Sequence, residues 1–144
     1  MGATRQETVR DALAAGAVAA LASGAPSTAH ALLTGGRPFE ATLAAGTIVL
    51  RDEARSGRLL LAAVPVHLVL SLGWALVLAA VLPRRSTAAF GALAGLGIAA
   101  LDLGLIGRRL ERIRALPQAP QVADHVAYGA TVGAVLSIRR SRRR

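Results

Sequence analysis

The sequence has no cysteine and no lysine, and only four of its 144 residues are aromatic. Without cysteine, disulfides, thiolate metal sites and cysteine nucleophiles are excluded, whereas the redox compartment is left open. The net charge of +9 rests on arginine alone. Nucleic-acid binding needs stacking groups among the basic residues, but Phe39, Trp74, Phe90 and Tyr128 lie apart from the Arg clusters. We therefore expect no nucleic-acid partner, even for the Arg-rich tail at residues 139–144.

Charged residues are missing from a long run at residues 59–82, around which the rest of the chain is organised. At a rise of about 1.5 Å per residue, this run forms roughly 36 Å of helix, enough to cross a hydrocarbon core of about 30 Å. A soluble core helix of this length would carry a polar stripe. Because 53% of the whole chain is also apolar, the run predicts a membrane protein with a transmembrane helix here.

Three other weakly charged stretches complete the prediction of an all-α fold, an integral membrane bundle of four transmembrane helices within a single domain. The third span carries one charge, and the fourth begins with a polar turn. The first is marginally short for a span. The predicted spans lie at about residues 10–25, 59–82, 87–106 and 122–138, and a basic tail follows at residues 139–144.

The first stretch has an alternative interpretation as a secretory signal peptide. Arg5 and Arg10 would form its basic start, and residues 29–31 have the small-x-small pattern of a cleavage site. Glu7 and Asp11 are unusual in such a start, and apolar sequence continues beyond it. We therefore expect the first helix to be retained.

Between the first and second spans, two prolines predict one or two short interfacial helices. Pro26 is placed to start the first of them, which Gly35 and Gly36 would end. Pro38 would start the second, with Glu40 in its first turn, where the helix dipole favours an anion. This second segment, of about 13 residues, is too short to cross a bilayer. A further interfacial helix is predicted to continue the third span over residues 107–116.

Small residues at four-residue spacing predict close packing between helices. The second span is bulky with Leu, Val and Trp, so we expect the small faces of the other spans to pack around it. The short turn at residues 83–86 predicts that the second and third spans are antiparallel neighbours. The glycines expected at packing faces are Gly16, Gly91, Gly95, Gly129 and Gly133.

Four spans would put both termini on one side of the membrane. The arginines divide almost equally, nine on the terminal side and eight on the other, so the positive-inside rule decides little. The density of the tail favours cytoplasmic termini in a bacterial inner (cell) membrane. We expect the Arg clusters to contact anionic lipid headgroups of the bilayer, and a homo-oligomer is left open.

The same topology brings the scarce ionisable residues of the spans toward one face. His67 and Asp102 are expected to face each other across the second and third helices. Such residues mark proton relays or ligand sites, or with another histidine would offer N and O ligands to a divalent metal. Alternatively, they form interhelical hydrogen bonds that fix the register. The candidate intramembrane polar site comprises His67, Asp102, His125, Asp124, His30 and Ser71.

Signatures of known enzyme classes are missing from the sequence. No serine stands in a Gly-x-Ser-x-Gly context, no histidine pair has metal-ligand spacing, and Gly95 and Gly97 lie inside a span rather than after a strand. We therefore predict no enzyme, no metal and no cofactor. A structural or accessory membrane protein is the favoured function. A proton-linked transporter or acid-response protein that uses His67 and Asp102 is the alternative.

Four segments of the chain resemble a group of uncharacterised actinobacterial four-helix membrane proteins: SGAPSTAHALLTGGRPFEATLAAG, PVHLVLSLGWALVLAAVLPRR, LDLGLIGRRL and QVADHVAYGATVGAVL. More distantly, the second span, with its histidine and Pro-Arg end, and the Asp-His start of the last span resemble the YagU-like inner-membrane proteins. This resemblance implies a multi-pass inner-membrane protein. The link of that group to acid tolerance would suit a site built from His and Asp.

Overall fold

The computed structural model describes residues 4–142, and every regular element within them is helical. The prediction of an all-α fold is therefore confirmed over this part of the chain. Beyond Leu101, α5 continues as a π-helical turn over Asp102–Ile106 and a 3-10 turn over Gly107–Arg109. The α-helices of the described residues are α1 (Arg5–Ala22), α2 (Ala25–Leu33), α3 (Glu40–Gly46), α4 (Ser56–Val81), α5 (Thr87–Leu101), α6 (Glu111–Arg114) and α7 (Gln118–Ser141).

Three helical stretches of the described chain are long and apolar enough to cross a membrane, at Arg5–Leu33, Ser56–Val81 and Thr87–Arg109. They correspond to the first three predicted spans. The fourth predicted span lies in α7, which has 24 residues but does not join them because it is more polar. The boundaries also differ: α7 begins before residue 122 and continues through Arg139 and Arg140, which the sequence assigned to the tail.

Local sequence explains where α1 begins and where α2 begins and ends. Thr4 and Glu7 form a capping box at the start of α1, which satisfies two backbone N–H groups that have no intrahelical partner. Pro26 lies in the first turn of α2, where its missing N–H is tolerated. Gly35, just beyond α2, has a φ of +72°, a conformation that favours glycine. Pro26 and Gly35 thus place a short helix where the sequence predicted one.

Two of the predicted interfacial helices are shorter in the structure than expected. α3 has only seven residues, because the chain leaves the helix at Thr47 and continues as turns to residue 52. Residues 107–116 do not form a continuous helix, since Leu110 is extended at φ −118° and ψ 108°. This break turns Leu110 and Ile113 inward, where they pack against Ala44 of α3.

α7 is the central helix of the bundle. It packs along α5 on one side and along α1 on another, and it also contacts α2 and α4. α1 packs against α4, and α3 lies on α4. Over their described lengths α4 and α5 do not pack together, so the prediction that the second and third spans are neighbours is wrong. The short turn at residues 83–86 joins their ends, but α7 is the helix that fits against α5.

The glycines of α5 and α7 explain this choice of neighbour. A Cβ on Gly91 would overlap the carbonyl oxygen of Gly129, and one on Gly95 would overlap the carbonyl oxygen of His125. Gly133 meets the backbone of Thr87 in the same way. The two small faces therefore pack on each other, and the expectation that they surround the bulky α4 is wrong. Close backbone approach excludes a third helix between them.

The small face of α1 does pack on α4. A Cβ on Gly16 would come within 2.8 Å of the Cβ of Ala75, and Ala12, Ala15 and Ala19 are fully buried nearby. The main apolar core joins these alanines to α4, α5 and α7 through residues that include Leu78, Ile98, Tyr128, Val132 and Leu136. Long side chains from α7 thus fill the space that the alanines of α1 leave open.

Candidate functional site

The antiparallel helices give the bundle two ends with different polar contacts. We call the end that holds Ser27, Asp102 and Asp124 the polar end. The other, which holds Asp11 and Arg139, is called the terminal end. Most residues of the predicted site lie toward the polar end, but their partners differ from those expected.

Asp102 pairs with His125 across the α5–α7 contact. The Nε2 atom of His125 lies 3.3 Å from Oδ2 of Asp102, and both side chains are about one fifth exposed. Nδ1 of the same ring lies 2.8 Å from the carbonyl oxygen of Gln121. A carbonyl oxygen only accepts, so Nδ1 carries a hydrogen. The contact between Nε2 and the carboxyl group then requires one further proton, on His125 or on Asp102.

His67 does not face Asp102, which corrects the predicted pair. Its Nε2 atom lies 2.8 Å from the carbonyl oxygen of Ala20 and donates to it. Ala20 is in the last turn of α1, where carbonyl groups have no intrahelical partner. His67 therefore caps α1 from α4. The predicted pair fails because α4 and α5 are not neighbours in the bundle.

Asp124 holds the start of α2. Its Oδ1 atom accepts a hydrogen bond of 2.9 Å from the backbone N–H of Ser27. This N–H belongs to the first turn of α2, which lacks internal acceptors and carries the positive end of the helix dipole. A carboxylate on α7 thus acts as the N-terminal cap of a separate helix. Ser27 is not among the residues that the sequence singled out for the site.

Two further predicted residues have other roles. Ser71 contributes its backbone carbonyl, which accepts a hydrogen bond from the hydroxyl of Tyr128. Tyr128 is 6% exposed and so lies in the core. For the ring of His30, half-buried on α2, the described residues provide no hydrogen-bond or ion-pair partner. The structure therefore brings Asp102 and His125 together, and leaves His30 outside the hydrogen-bonded set.

Charged contacts at the terminal end were not predicted from the sequence. Nε of Arg139 lies 2.6 Å from Oδ1 of Asp11, whose side chain is only 4% exposed. Arg140 donates to the carbonyl oxygens of Ala79 at 2.8 Å and Leu82 at 3.3 Å, at the end of α4. The predicted topology, which puts Asp11 and the basic tail on the same side, was a signal that could have indicated the contact between Asp11 and Arg139.

The polar end is built from contacts between pairs of helices. Within residues 4–142, no three His, Cys, Asp or Glu side chains converge as metal ligands. One cavity of about 260 Å³ lies at the terminal end beside Asp11 and Arg140, and a groove of about 610 Å³ runs along α5. Neither is lined by His67, Asp102, Asp124 or His125. The polar contacts at this end therefore lie between helices rather than around either space.

Comparisons with protein-family models, with curated proteins and with solved structures give no match.

Proposed function

We propose that this chain is a multi-pass membrane protein with a structural or accessory role, and that its polar residues hold the helices in register. The observation that carries the proposal is the set of hydrogen-bond partners that these polar side chains have. Asp102 bonds His125, Asp124 bonds Ser27, His67 bonds the carbonyl of Ala20, and Tyr128 bonds the carbonyl of Ser71. Every one of these bonds joins two different helices, as expected for interhelical fixation in a bilayer.

The surface of the bundle supports a bilayer as its surroundings. α4 and α5 expose large apolar side chains, among them Leu61 at 76%, Val69 at 70% and Leu93 at 62%. Contiguous apolar surface of this kind is unfavourable in water. In lipid it is the surface that a spanning helix requires.

We further propose that α7 is a fourth span across the bacterial inner (cell) membrane. Four spans would place both termini on the same side of that membrane, in the cytoplasm. From Asp124 to Leu136, α7 has no exposed residue. A helix that is largely covered by other helices needs little lipid-facing apolar surface. Its polarity is therefore compatible with a position at the centre of a membrane bundle.

Asp102→Asn tests the structural role directly. With Nδ1 donating to Gln121, a neutral His125 offers the lone pair of Nε2, to which the amide of the introduced asparagine would donate. The register bond survives while the extra proton disappears. We expect the variant to keep the thermal stability of the wild type in detergent. Asp102→Leu, which cannot bond His125, should lower the unfolding free energy by about 1 kcal/mol.

A proton-linked transporter is the second candidate, and one observation favours it. The contact between Asp102 and His125 requires a proton between Nε2 and the carboxyl group, and both side chains are about one fifth exposed rather than fully buried. Proton flux into proteoliposomes, followed with an internal pH-sensitive dye, separates the two functions. A structural protein gives no flux above empty vesicles. Flux that Asp102→Asn abolishes, and that the loop variant Asp52→Asn preserves, would replace the structural role with the transporter.

A further inference from the structure

An open groove runs along α5 toward the polar end of the bundle. Its lining includes small residues, among them Gly104 in the π-helical turn, and the apolar residues Leu96 and Val122. Arg108 and Arg114 line its polar rim. The groove thus has a cationic end and an apolar end, with a volume of about 610 Å³.

The two arginines of the rim are free to bind an anion. The carboxylates that form ion pairs within residues 4–142 are engaged elsewhere: Glu40 with Arg37 and Arg112, Glu53 with two loop arginines, Asp11 with Arg139, and Asp102 with His125. In this part of the chain, neither Arg108 nor Arg114 has a carboxylate within ion-pair distance. Their guanidinium groups are suited to a phosphate, which accepts several N–H donors at once.

The length of the apolar part matches one leaflet of a bilayer. Leu96 precedes Arg108 by 12 residues, which corresponds to roughly 18 Å along a helix. Half of a hydrocarbon core is about 15 Å. A ligand that lies along the groove therefore needs an anionic group at one end and an apolar chain that reaches about to the middle of the membrane.

We propose that this groove binds one anionic phospholipid, with its phosphate at Arg108 and Arg114 and an acyl chain along α5 between Gly104 and Leu96. The proposal rests on the membrane placement argued above. Unlike general attraction of arginines to headgroups, binding at this site combines two arginines with an apolar lining along α5. A zwitterionic lipid offers the same phosphate but adds a cationic group that would face the two arginines.

Native mass spectrometry of the full chain in detergent measures the binding. The probes are dioleoyl phosphatidylglycerol, dioleoyl phosphatidylcholine and glycerol 3-phosphate. We expect one tightly retained phosphatidylglycerol per chain. Arg108→Gln with Arg114→Gln should weaken its retention about thirtyfold, as expected for two lost cation–headgroup attractions. The matched control, Arg51→Gln with Arg109→Gln, removes the same charge from exposed arginines outside the groove and should bind like the wild type.

A second variant tests the apolar part without changing charge. A Cβ at Gly104 meets no atom within 4 Å, so Gly104→Leu should fold while it fills the groove and displaces the acyl chain. Gly97 is equally open but does not line the groove, and Gly97→Leu should leave retention unchanged.

Three results would overturn the proposal. They are equal loss of lipid in the arginine control, equal retention of phosphatidylcholine, and binding of glycerol 3-phosphate as strong as that of the lipid. Unchanged retention in both Gly104→Leu and the double arginine variant would also refute the groove as the site. A chain that is monodisperse in water without detergent would instead refute the membrane placement, so the two failures are distinguishable.

Discussion

Gly129 leaves no room for a side chain. A Cβ at this position would overlap the carbonyl oxygen of Gly91, and the closest atoms on the facing helix belong to its backbone. Backbone atoms cannot rotate away as a flexible side chain would. The helices α5 and α7 must therefore separate if any other residue stands here.

We predict that Gly129→Ala lowers the unfolding free energy in detergent by about 1–3 kcal/mol, the usual range for overpacking. Gly97→Ala is the matched control, because a Cβ there meets nothing within 4 Å. It should be neutral or stabilise by up to about 1 kcal/mol, since alanine favours helix more than glycine does. Equal stability of the two variants, measured by thermal unfolding, would contradict the close α5–α7 contact.

The carboxyl group of Glu53, in the loop before α4, has a strongly lowered pKa. Hydrogen bonds from Arg55 and then from Arg58 hold its pKa down at about 2, against an ordinary value of 4.5. A lowered pKa means that the folded chain favours the ionised form. The stabilisation by this group is therefore fully present above about pH 4.5 and is lost as the pH falls toward 2.

We predict that Arg55→Gln with Arg58→Gln raises the pKa of Glu53 toward 4.5, because both guanidinium donors of its carboxylate are removed while the backbone N–H of residue 55 still donates to it. An NMR titration of the carboxyl carbon measures the shift. Arg51→Gln, which changes charge in the same loop, should leave the pKa low. A value near 4.5 in the unsubstituted chain would show that the loop does not hold this ion pair in solution.

At the scale of elements, α4 is capped by a residue 58 positions away in sequence. The guanidinium of Arg140 donates to the carbonyls of Ala79 and Leu82, and a cation at this end also suits the helix dipole. His67 likewise donates a hydrogen bond to a carbonyl at the end of α1, and Asp124 caps the start of α2. Helix ends in this bundle are thus satisfied by neighbouring helices rather than by local capping residues alone.

We predict that Arg140→Gln destabilises the end of α4 by about 1–2 kcal/mol, through the loss of charged hydrogen bonds. Hydrogen–deuterium exchange should increase in the peptide that covers residues 76–82 and remain unchanged around Ala63. Arg142→Gln is the control, since Arg142 is exposed and only its backbone N–H makes a hydrogen bond. Faster exchange in both variants would indicate a general charge effect instead of a cap.

At the scale of the whole molecule, the proposal that α7 is a fourth span predicts that both termini lie on one side of the membrane. The absence of cysteine makes thiol labelling unambiguous. In single variants Ser56→Cys, Arg85→Cys and Ser141→Cys, an impermeant thiol reagent applied to intact cells should modify only the first. The other two should react after the membrane is permeabilised. Labelling of Ser141→Cys together with Ser56→Cys would show that α7 does not cross.

The limits of sequence reasoning are visible in individual residues. His67 and Asp102 were correctly placed on separate helices, yet their partners were wrong because a short turn does not decide which helices become neighbours. Gly91 and Gly129 were recognised as packing residues, but a Gly-xxx-Gly pattern does not name its partner. Asp11 and Arg139 lie 128 positions apart, and only their shared end of the bundle connects them.

Local sequence was enough to establish the helical class, the three long apolar stretches and the positions of the short helices near Pro26 and Pro38. Hydropathy, spacing and turn residues act within a few turns of chain, so these properties can be read without knowing the neighbours. Three-dimensional packing was needed to establish that α7 is central, that Asp102 pairs with His125 and that Arg140 caps α4. Such choices depend on which backbones can approach most closely, and the glycine faces of α5 and α7 exclude any bulkier helix from between them.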